Sequence, residues 1–284
     1  MNVKALIKVI QLILLAVLIF AIPSSTYASI VFVSDASIKI GRVDTDTGNV
    51  LDFKQFSTTI QAPIGPVSEG AFTDIAFAPN GQLYGITANS LWAVNYQLGT
   101  TTRVAGLHGG TLVGIPNALT FSLDGRAFIG SELSTVLHTV NINTGALTSL
   151  GNAPLTGGSA GDFAFIGDQL LLAGTTGLHA FNLDSSPPTG STVGQTGIAN
   201  LYGLATPDRS TLFGFAGTSV YSIDANNANS IFISSFGGQG LTSATGAAFR
   251  LESVPEPSVV VFLCAVVPAF VFRRSRNQKP HLHL

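Results

Sequence analysis

"FTDIAFAPNGQLYGI", residues Phe72 to Ile86, decides the fold, because the chain repeats its pattern of an apolar strand, a tight turn and a second strand. The other copies are "NALTFSLDGRAFIG" (Asn117–Gly130), "GDFAFIGDQLLLAG" (Gly161–Gly174) and "LYGLATPDRSTLFGF" (Leu201–Phe215). Aligned on the residue before the turn, the copies lie 44, 44 and 40 residues apart, and one further step of 44 reaches Phe249. A period of this size predicts a repeat architecture.

A third strand also recurs in each unit, and it ends in Asn or Asp. Its copies are "SLWAVN" (Ser90–Asn95), "VLHTVN" (Val136–Asn141), "GLHAFN" (Gly177–Asn182) and "SVYSID" (Ser219–Asp224). Turn residues follow each copy, and then a fourth strand. Four short strands in about 44 residues is the size of one blade of a β-propeller.

The two ends of the repeat region complete each other. Residues Ile30 to Phe56 supply a second, third and fourth strand without a first, whereas Thr245 to Arg250 supply a first strand without the others. Pairing them closes the ring and removes two exposed sheet edges. We therefore expect an all-β propeller of about five four-stranded blades over residues 29–253, with an extra loop near Ser57 to Gly70. A six-bladed or open β structure with one degenerate unit is the alternative.

The repeat "IAFAPNGQLYGI" resembles the degenerate repeats of quinoprotein-like and NHL-type propellers. This resemblance covers Ile30 to Arg250, and it implies a fold more than an activity.

The composition favours an exported or membrane-associated protein. The chain of 284 residues is 46 % hydrophobic and only 10 % charged, with a mean hydropathy of +0.43. Residues 29–253 contain seven Lys and Arg against fourteen Asp and Glu, so this body is acidic and does not suit nucleic acid. The single cysteine, Cys264, lies beyond the body, which therefore has neither an internal disulfide nor a thiol nucleophile.

Residues 1–28 have the pattern of a secretory signal peptide. Lys4 and Lys8 precede the apolar run Val9 to Ile22, and Thr26-Tyr27-Ala28 is a small-x-small cleavage site. We expect a helix here and cleavage after Ala28. The alternative is an uncleaved helix that stays in the membrane.

Residues 254–277 have the pattern of a membrane anchor with a basic end. The apolar run Ser258 to Phe272 would make a helix of roughly 22 Å, which is short of the roughly 30 Å hydrocarbon core. Arg273, Arg274 and Arg276 follow at once, and they predict a cytoplasmic C-terminus with the body outside. We expect residues 278–284 to be a disordered tail.

"VPEP", the apolar run and "RRSR" together resemble the PEP-CTERM sorting domain of bacterial exported proteins. The resemblance implies that an exosortase, a membrane cysteine peptidase, recognises Pro255, Glu256 and Pro257. It further implies transient anchoring in the inner membrane, followed by release to the cell surface or to an exopolysaccharide or biofilm matrix. Pro268 within the apolar run and the long tail are slight departures from the family pattern.

The first strands should line the channel of the propeller, and polar residues lie on or beside them. Asp74 and Asp162 belong to first strands, and Asn117 and Asn200 occupy related positions. We expect these four residues to face an axial pocket, where they could bind a sugar or a cation or simply satisfy turn backbones.

Motifs for catalysis, cofactors or metal ions do not appear in the body. His138 and His179 occupy equivalent third-strand positions and, like His108, lack the spacing of metal ligands. "DTDTGN" (Asp44–Asn49) begins like a calcium loop but lacks the later glutamate, so a turn is favoured. We predict no catalytic residue, no metal site and no cofactor.

Two functions fit the sequence. One is a non-enzymatic surface or matrix propeller, associated with exopolysaccharide. The other is an exported propeller enzyme, a lactonase-like or lyase-like hydrolase that uses a channel cation.

Overall fold

The computed structural model of the protein describes residues 29–110, 112–152 and 157–250. These residues form a β-propeller of five four-stranded blades. The predicted signal peptide, sorting segment and tail lie outside the described residues. Within the described part of the chain, no helix is long and apolar enough to cross a membrane.

The strands follow one another blade by blade. Blade 1 takes β1 (Ile30–Asp35), β2 (Lys39–Asp44) and β3 (Val50–Gln55), after which β4 (Thr59–Ala62) and β5 (Gly65–Ser68) form a separate hairpin. Blade 2 contains β6 (Asp74–Phe77), β7 (Leu83–Ile86), β8 (Ser90–Asn95) and β9 (Thr100–Gly106). Blade 3 contains β10 (Pro116–Phe121), β11 (Ala127–Ser131), β12 (Ser134–Val140) and β13 (Leu147–Asn152). Blade 4 contains β14 (Ser159–Ile166), β15 (Gln169–Gly174), β16 (Gly177–Asn182) and β17 (Thr189–Gly194). Blade 5 contains β18 (Leu201–Ala205), β19 (Leu212–Ala216), β20 (Ser219–Ile223) and β21 (Ser230–Ser235).

The last strand, β22 (Ala244–Ala248), completes blade 1, in the sheet order β22-β1-β2-β3. It pairs antiparallel with β1, with Phe32 opposite Ala248 and Val33 opposite Ala247. The predicted closure of the ring by the two ends of the repeat region is therefore confirmed. Each first strand then contacts the first strands of both neighbouring blades, in the ring order β22, β6, β10, β14, β18.

The hairpin β4–β5 occupies the position of the predicted extra loop. Its strands pair from Thr59 opposite Ser68 to Ala62 opposite Gly65, and Ile64 at its tip is 94 % exposed. Prolines at 63 and 66 and glycines at 65 and 70 suggested irregular structure. They are compatible with a short hairpin because its edges pair with no other strand.

The hydrophobic core is divided among the five interfaces between blades. Each of five buried clusters joins two neighbouring blades, and the cluster between blades 1 and 2, for example, combines Phe32 and Ile40 with Trp92 and Val94. Strands in one blade alternate their side chains between two faces. Both faces are covered by neighbouring blades, so the second strands β7, β11 and β15 are almost entirely buried.

The turn between the third and fourth strands has the same construction in most blades. An Asp or Asn side chain accepts hydrogen bonds from backbone N–H groups two or three residues later, as Asp44 does from Asp46 and Thr47. This bonding explains why each third strand ends in Asn or Asp. The same bonding accounts for the sequence "DTDTGN". In a calcium loop an Asp44 oxygen would bind the ion, whereas here it accepts backbone N–H groups. In blade 4 the turn occupies residues 183–188, and Thr189 begins the fourth strand.

Gly145, in the blade 3 turn, should not tolerate a side chain. Its φ is +74°, and an added Cβ would collide with the Gly106 carbonyl oxygen of blade 2. We expect Gly145→Ala to lower the free energy of unfolding by about 2 kcal/mol or more, from strain and overpacking. Urea unfolding measures the loss. Gly217→Ala is the matched control, since its φ is +57° with nothing within 4 Å, and about 1 kcal/mol is expected there. Equal losses would show that the contact between blades is unimportant.

The two faces of the ring differ in charge. The upper face, as we call it, carries the starts of the first strands and the turns between second and third strands. The lower face carries the opposite turns, together with Ser29 and Arg250. Upper-face loops in the described residues contain only two Asp or Glu, Glu69 and Glu132, and no Lys or Arg. The acidic residues of the lower face are Asp44, Asp46, Asp124, Asp168, Asp184, Asp208 and Asp224, and they outnumber its described arginines, which are Arg126, Arg209 and Arg250.

Candidate functional site

Asp74 and Asp162 meet at the axis of the ring, where both side chains are fully buried. Asp74 Oδ2 accepts a hydrogen bond of 2.6 Å from the backbone N–H of Leu119, and its Oδ1 accepts one of 2.7 Å from Ile75. Asp162 Oδ2 accepts from the backbone N–H groups of Leu204, at 2.8 Å, and Ala247, at 3.2 Å. The structure therefore brings these two predicted site residues together.

These hydrogen bonds connect all five blades. Asp74 links blade 2 to blade 3, and Asp162 links blade 4 to blades 5 and 1. Asp162 Oδ1 is buried and lacks a donor while both carboxyl groups are ionised. A proton on one carboxyl group supplies that donor and forms a hydrogen bond between the two side chains. Asp74 and Asp162 thus form a proton-sharing pair that connects the first strands.

Burial raises the pKa of Asp74 well above its ordinary value, and the charge of Asp162 raises it further. Burial also raises the pKa of Asp162, although hydrogen bonds from Asp74 and from the backbone oppose the shift. The five first strands contain no Lys, Arg or His, so no cation on them compensates two ionised carboxylates. The pair therefore holds a proton more tightly than an ordinary carboxyl group does.

Stability should depend on pH because of this pair. A carboxyl group whose pKa is raised in the folded state binds its proton more tightly when folded. Its contribution is complete below the ordinary pKa of 3.8 and is lost as pH rises through the raised pKa. We expect the free energy of unfolding to fall as pH rises from 3.8 towards the raised pKa. Urea titrations across that range measure the slope, which Asp162→Asn should flatten because an amide replaces the shared proton. An equal slope in both proteins would contradict the assignment.

Four of the five first strands have a shift of register, and in three of them, β10, β18 and β22, it is a bulge of one residue around the upper end of the axis. Asn117 lies between Pro116 and Ala118, which pair with consecutive residues of β11, and Tyr202 and Thr245 occupy the same kind of position in β18 and β22. A bulge removes a residue from the ladder and redirects its side chain. These three residues form what we call the upper mouth.

One hydrogen bond of the upper mouth joins two blades, and two others are local to a single blade. Asn117 Nδ2 donates to the Ser159 carbonyl oxygen of blade 4 at 3.3 Å, whereas Asn117 Oδ1 has no donor among the described residues. The Tyr202 hydroxyl donates to Asn200 Oδ1 at 3.2 Å, and the Thr245 hydroxyl lies 3.1 Å from that of Ser34. The predicted residues Asn117 and Asn200 therefore lie at this mouth. Asp74 and Asp162 are buried within the ring.

The two third-strand histidines lie in the interior of separate blades. His179 lies between the hydroxyls of Thr176 and Thr192, each 3.2 Å from a ring nitrogen. His138 is fully buried, and its ring nitrogens have no hydrogen-bond partner among the described residues. Burial lowers the pKa of both, so both are neutral at pH 7. They are packed strand residues. Within the described ranges, no group of three or more His, Cys, Asp or Glu is arranged to hold a metal ion.

Two buried acids had no distinguishing signal in the sequence. Asp35 accepts backbone hydrogen bonds from Ser37, Lys39 and Thr242, and it joins β1 to the loop before β22. Burial alone would raise the pKa of Asp35, but these hydrogen bonds lower it overall. Glu69 accepts from the hydroxyls of Thr87 and Ser90, and it fixes the base of the hairpin on blade 2. Both acids are structural.

No protein-family model matches the sequence, and no curated protein matches it significantly. Solved structures do match. A candidate gluconolactonase is 11 % identical, with a TM-score of 0.50, over 78 % of this chain and 81 % of that one. A chain of a nidogen/laminin complex is 13 % identical, with a TM-score of 0.49, over 78 % and 98 %. A Bacteroides thetaiotaomicron protein of unknown function is 11 % identical, with a TM-score of 0.48.

The match to the Bacteroides protein covers 74 % of this chain and only 58 % of that protein's length. At such identities the likeness concerns the fold alone, and one fold carries many functions. The function of this chain has to be argued from its own residues.

Proposed function

We propose that the protein is an exported, non-enzymatic propeller that binds carbohydrate at the cell surface or in an extracellular polysaccharide matrix. The observation that carries the proposal is the use of the axial carboxyl groups. Asp74 and Asp162 are buried and accept hydrogen bonds from the first strands of neighbouring blades. They join the blades and are not exposed to a substrate in the channel.

An enzyme with a channel cation is the competing function, and the axial residues do not fit it. A hard cation such as Ca²⁺ takes six to eight oxygen ligands. Here three of the four carboxyl oxygens accept backbone N–H groups, and the fourth, Asp162 Oδ1, belongs to the proton-sharing pair. The polar residues of the upper mouth are amides and hydroxyls, which are poor general bases at neutral pH.

Export and surface sorting are supported by the sequence pattern at the two ends. A signal-like segment precedes the propeller, and the Pro255-Glu256-Pro257 segment with its apolar run and Arg273, Arg274 and Arg276 follows it. The proposed partners are an exosortase-type membrane peptidase, the inner membrane before processing, and exopolysaccharide afterwards.

Cell fractionation tests the sorting proposal. Pro255, Glu256 and Pro257 are replaced together by alanine in the natural host, and the protein is followed in membrane, surface and medium fractions. We expect the variant to accumulate in the inner membrane. Arg250→Ala, a change of one charge outside the sorting pattern, is the control and should be released normally. Unchanged release of the triple variant would refute the sorting proposal.

Metal analysis and a glycan array distinguish binding protein from enzyme. The purified protein is expected to bind immobilised glycans after treatment with EDTA, without stoichiometric Ca²⁺. Tightly held Ca²⁺ together with lactone hydrolysis would support the enzyme instead.

A further inference from the structure

We infer that the upper mouth, formed by Asn117, Tyr202 and Thr245, is the carbohydrate site, and that it takes an uncharged glycan. This inference rests on the proposed function and names its site and ligand class.

Tyr202 is the first reason. In β18 it is the exposed member of a strand whose other residues are buried, and 37 % of its surface is accessible. The bulge between Leu201 and Gly203 removes it from the ladder. Gly161 of blade 4 packs against its backbone, where a Cβ would collide with Tyr202 Cα. The ring is therefore held on a rigid strand beside the axis. An exposed aromatic ring offers an apolar surface that suits the C–H face of a sugar ring, while its hydroxyl remains a polar group.

The polar groups at the upper ends of the first strands are the second reason. Asn200, Asn117 and Thr245 supply amides and hydroxyls that both donate and accept hydrogen bonds. Sugar hydroxyls have the same dual character. A combination of Tyr with Asn, Ser and Gly is also typical of adaptable recognition surfaces.

Charge decides the class of glycan. Of the two acids in the described upper-face loops, Glu69 is buried and accepts hydroxyl hydrogen bonds. Two cations of the neighbouring strands have partners, since Lys39 donates to the Gly240 carbonyl oxygen and Arg103 to the Ser90 hydroxyl. The opposite face is acidic. A polyanion would therefore find few compensating charges on one face and repulsion at the other.

The first and last described residues lie on the face opposite the upper mouth. Ser29 and Arg250 both lie on the lower face, because β1 begins and β22 ends there.

Affinity gel electrophoresis of the full chain in a polyoxyethylene detergent tests the inference, since such a detergent carries no sugar that could compete. The gels contain dextran, galactomannan or xyloglucan as uncharged probes, and alginate as the anionic probe. We expect at least one uncharged polysaccharide to retard the protein and alginate to leave it unaffected. Tyr202→Ala should weaken retardation about tenfold, and Tyr202→Phe should weaken it less because the ring remains.

Phe232→Ala is the matched control, because Phe232 is 57 % exposed on the outer strand of blade 5. It should bind like the parent protein, and unchanged Trp92 fluorescence would show that each variant is folded. Retardation that survives Tyr202→Ala, or that alginate alone produces, would overturn the site or the ligand class while leaving carbohydrate binding intact. Retardation by none of the four polysaccharides would overturn the binding function as well.

Discussion

Asp162→Ala should destabilise the propeller by about 3–5 kcal/mol, or prevent folding altogether. The alanine would leave the buried N–H groups of Leu204 and Ala247 without their acceptor, and Asp74 without the group that shares its proton. Urea unfolding measures the loss, with the fluorescence of the only tryptophan, buried Trp92, as the probe.

Asparagine at position 162 or 74 keeps the size of the side chain and changes only its hydrogen-bonding groups. In Asp162→Asn the amide oxygen can still accept from both N–H groups, and the NH₂ can donate to Asp74, so we expect a loss of about 1 kcal/mol or less. In Asp74→Asn one carboxyl oxygen that accepts an N–H from Ile75 or Leu119 becomes a donor, so a larger loss is expected. Equal losses in the two asparagine variants would show that the described bonding pattern is wrong.

A chain that ends at Ser243 should not fold into a stable ring. It lacks β22, so β1 keeps β2 but loses its other partner, and Asp162 loses the N–H of Ala247. The clusters between blade 1 and its two neighbours lose Ala247 and Ala248. A chain that ends at Arg250 retains every one of these contacts and is the control. We expect a cooperative urea transition in the longer chain and none in the shorter one.

Solubility and far-UV circular dichroism of the same two chains complete that experiment. The shorter chain presents an unpaired edge of β1 and should aggregate. If it unfolded as cooperatively as the longer chain, closure by β22 would not be the element that stabilises the ring.

Much of the fold could be predicted because the repeat leaves a strong pattern. The first turns recur at a near-constant spacing, and third strands such as β8 and β16 lie at the predicted bounds. The closure of blade 1 followed from counting which strands each end lacked. The hairpin β4–β5 could not be predicted, since two short strands with prolines at 63 and 66 have no alternation long enough to distinguish them from a loop.

The site was harder to predict because it depends on bulges. Asp74 and Asp162 could be assigned to first strands, and the structure places them at the axis. Whether a carboxyl group at the axis is open or bonded to the next strand depends on how closely the strands approach. Gly246 illustrates this, because a Cβ there would lie 2.7 Å from Asp74 Cα. Tyr202 was not identified, since a bulge of one residue reverses the orientation expected from alternation without changing composition.

The pairing of β22 with β1 also sets the order in which the protein can fold. Ser34 and Thr245, whose hydroxyls meet in blade 1, are separated by 211 positions. Contacts of such long range form slowly, because a large loop has to close first. During synthesis, one edge of β1 therefore stays unpaired until β22, the last strand of the propeller, has been made.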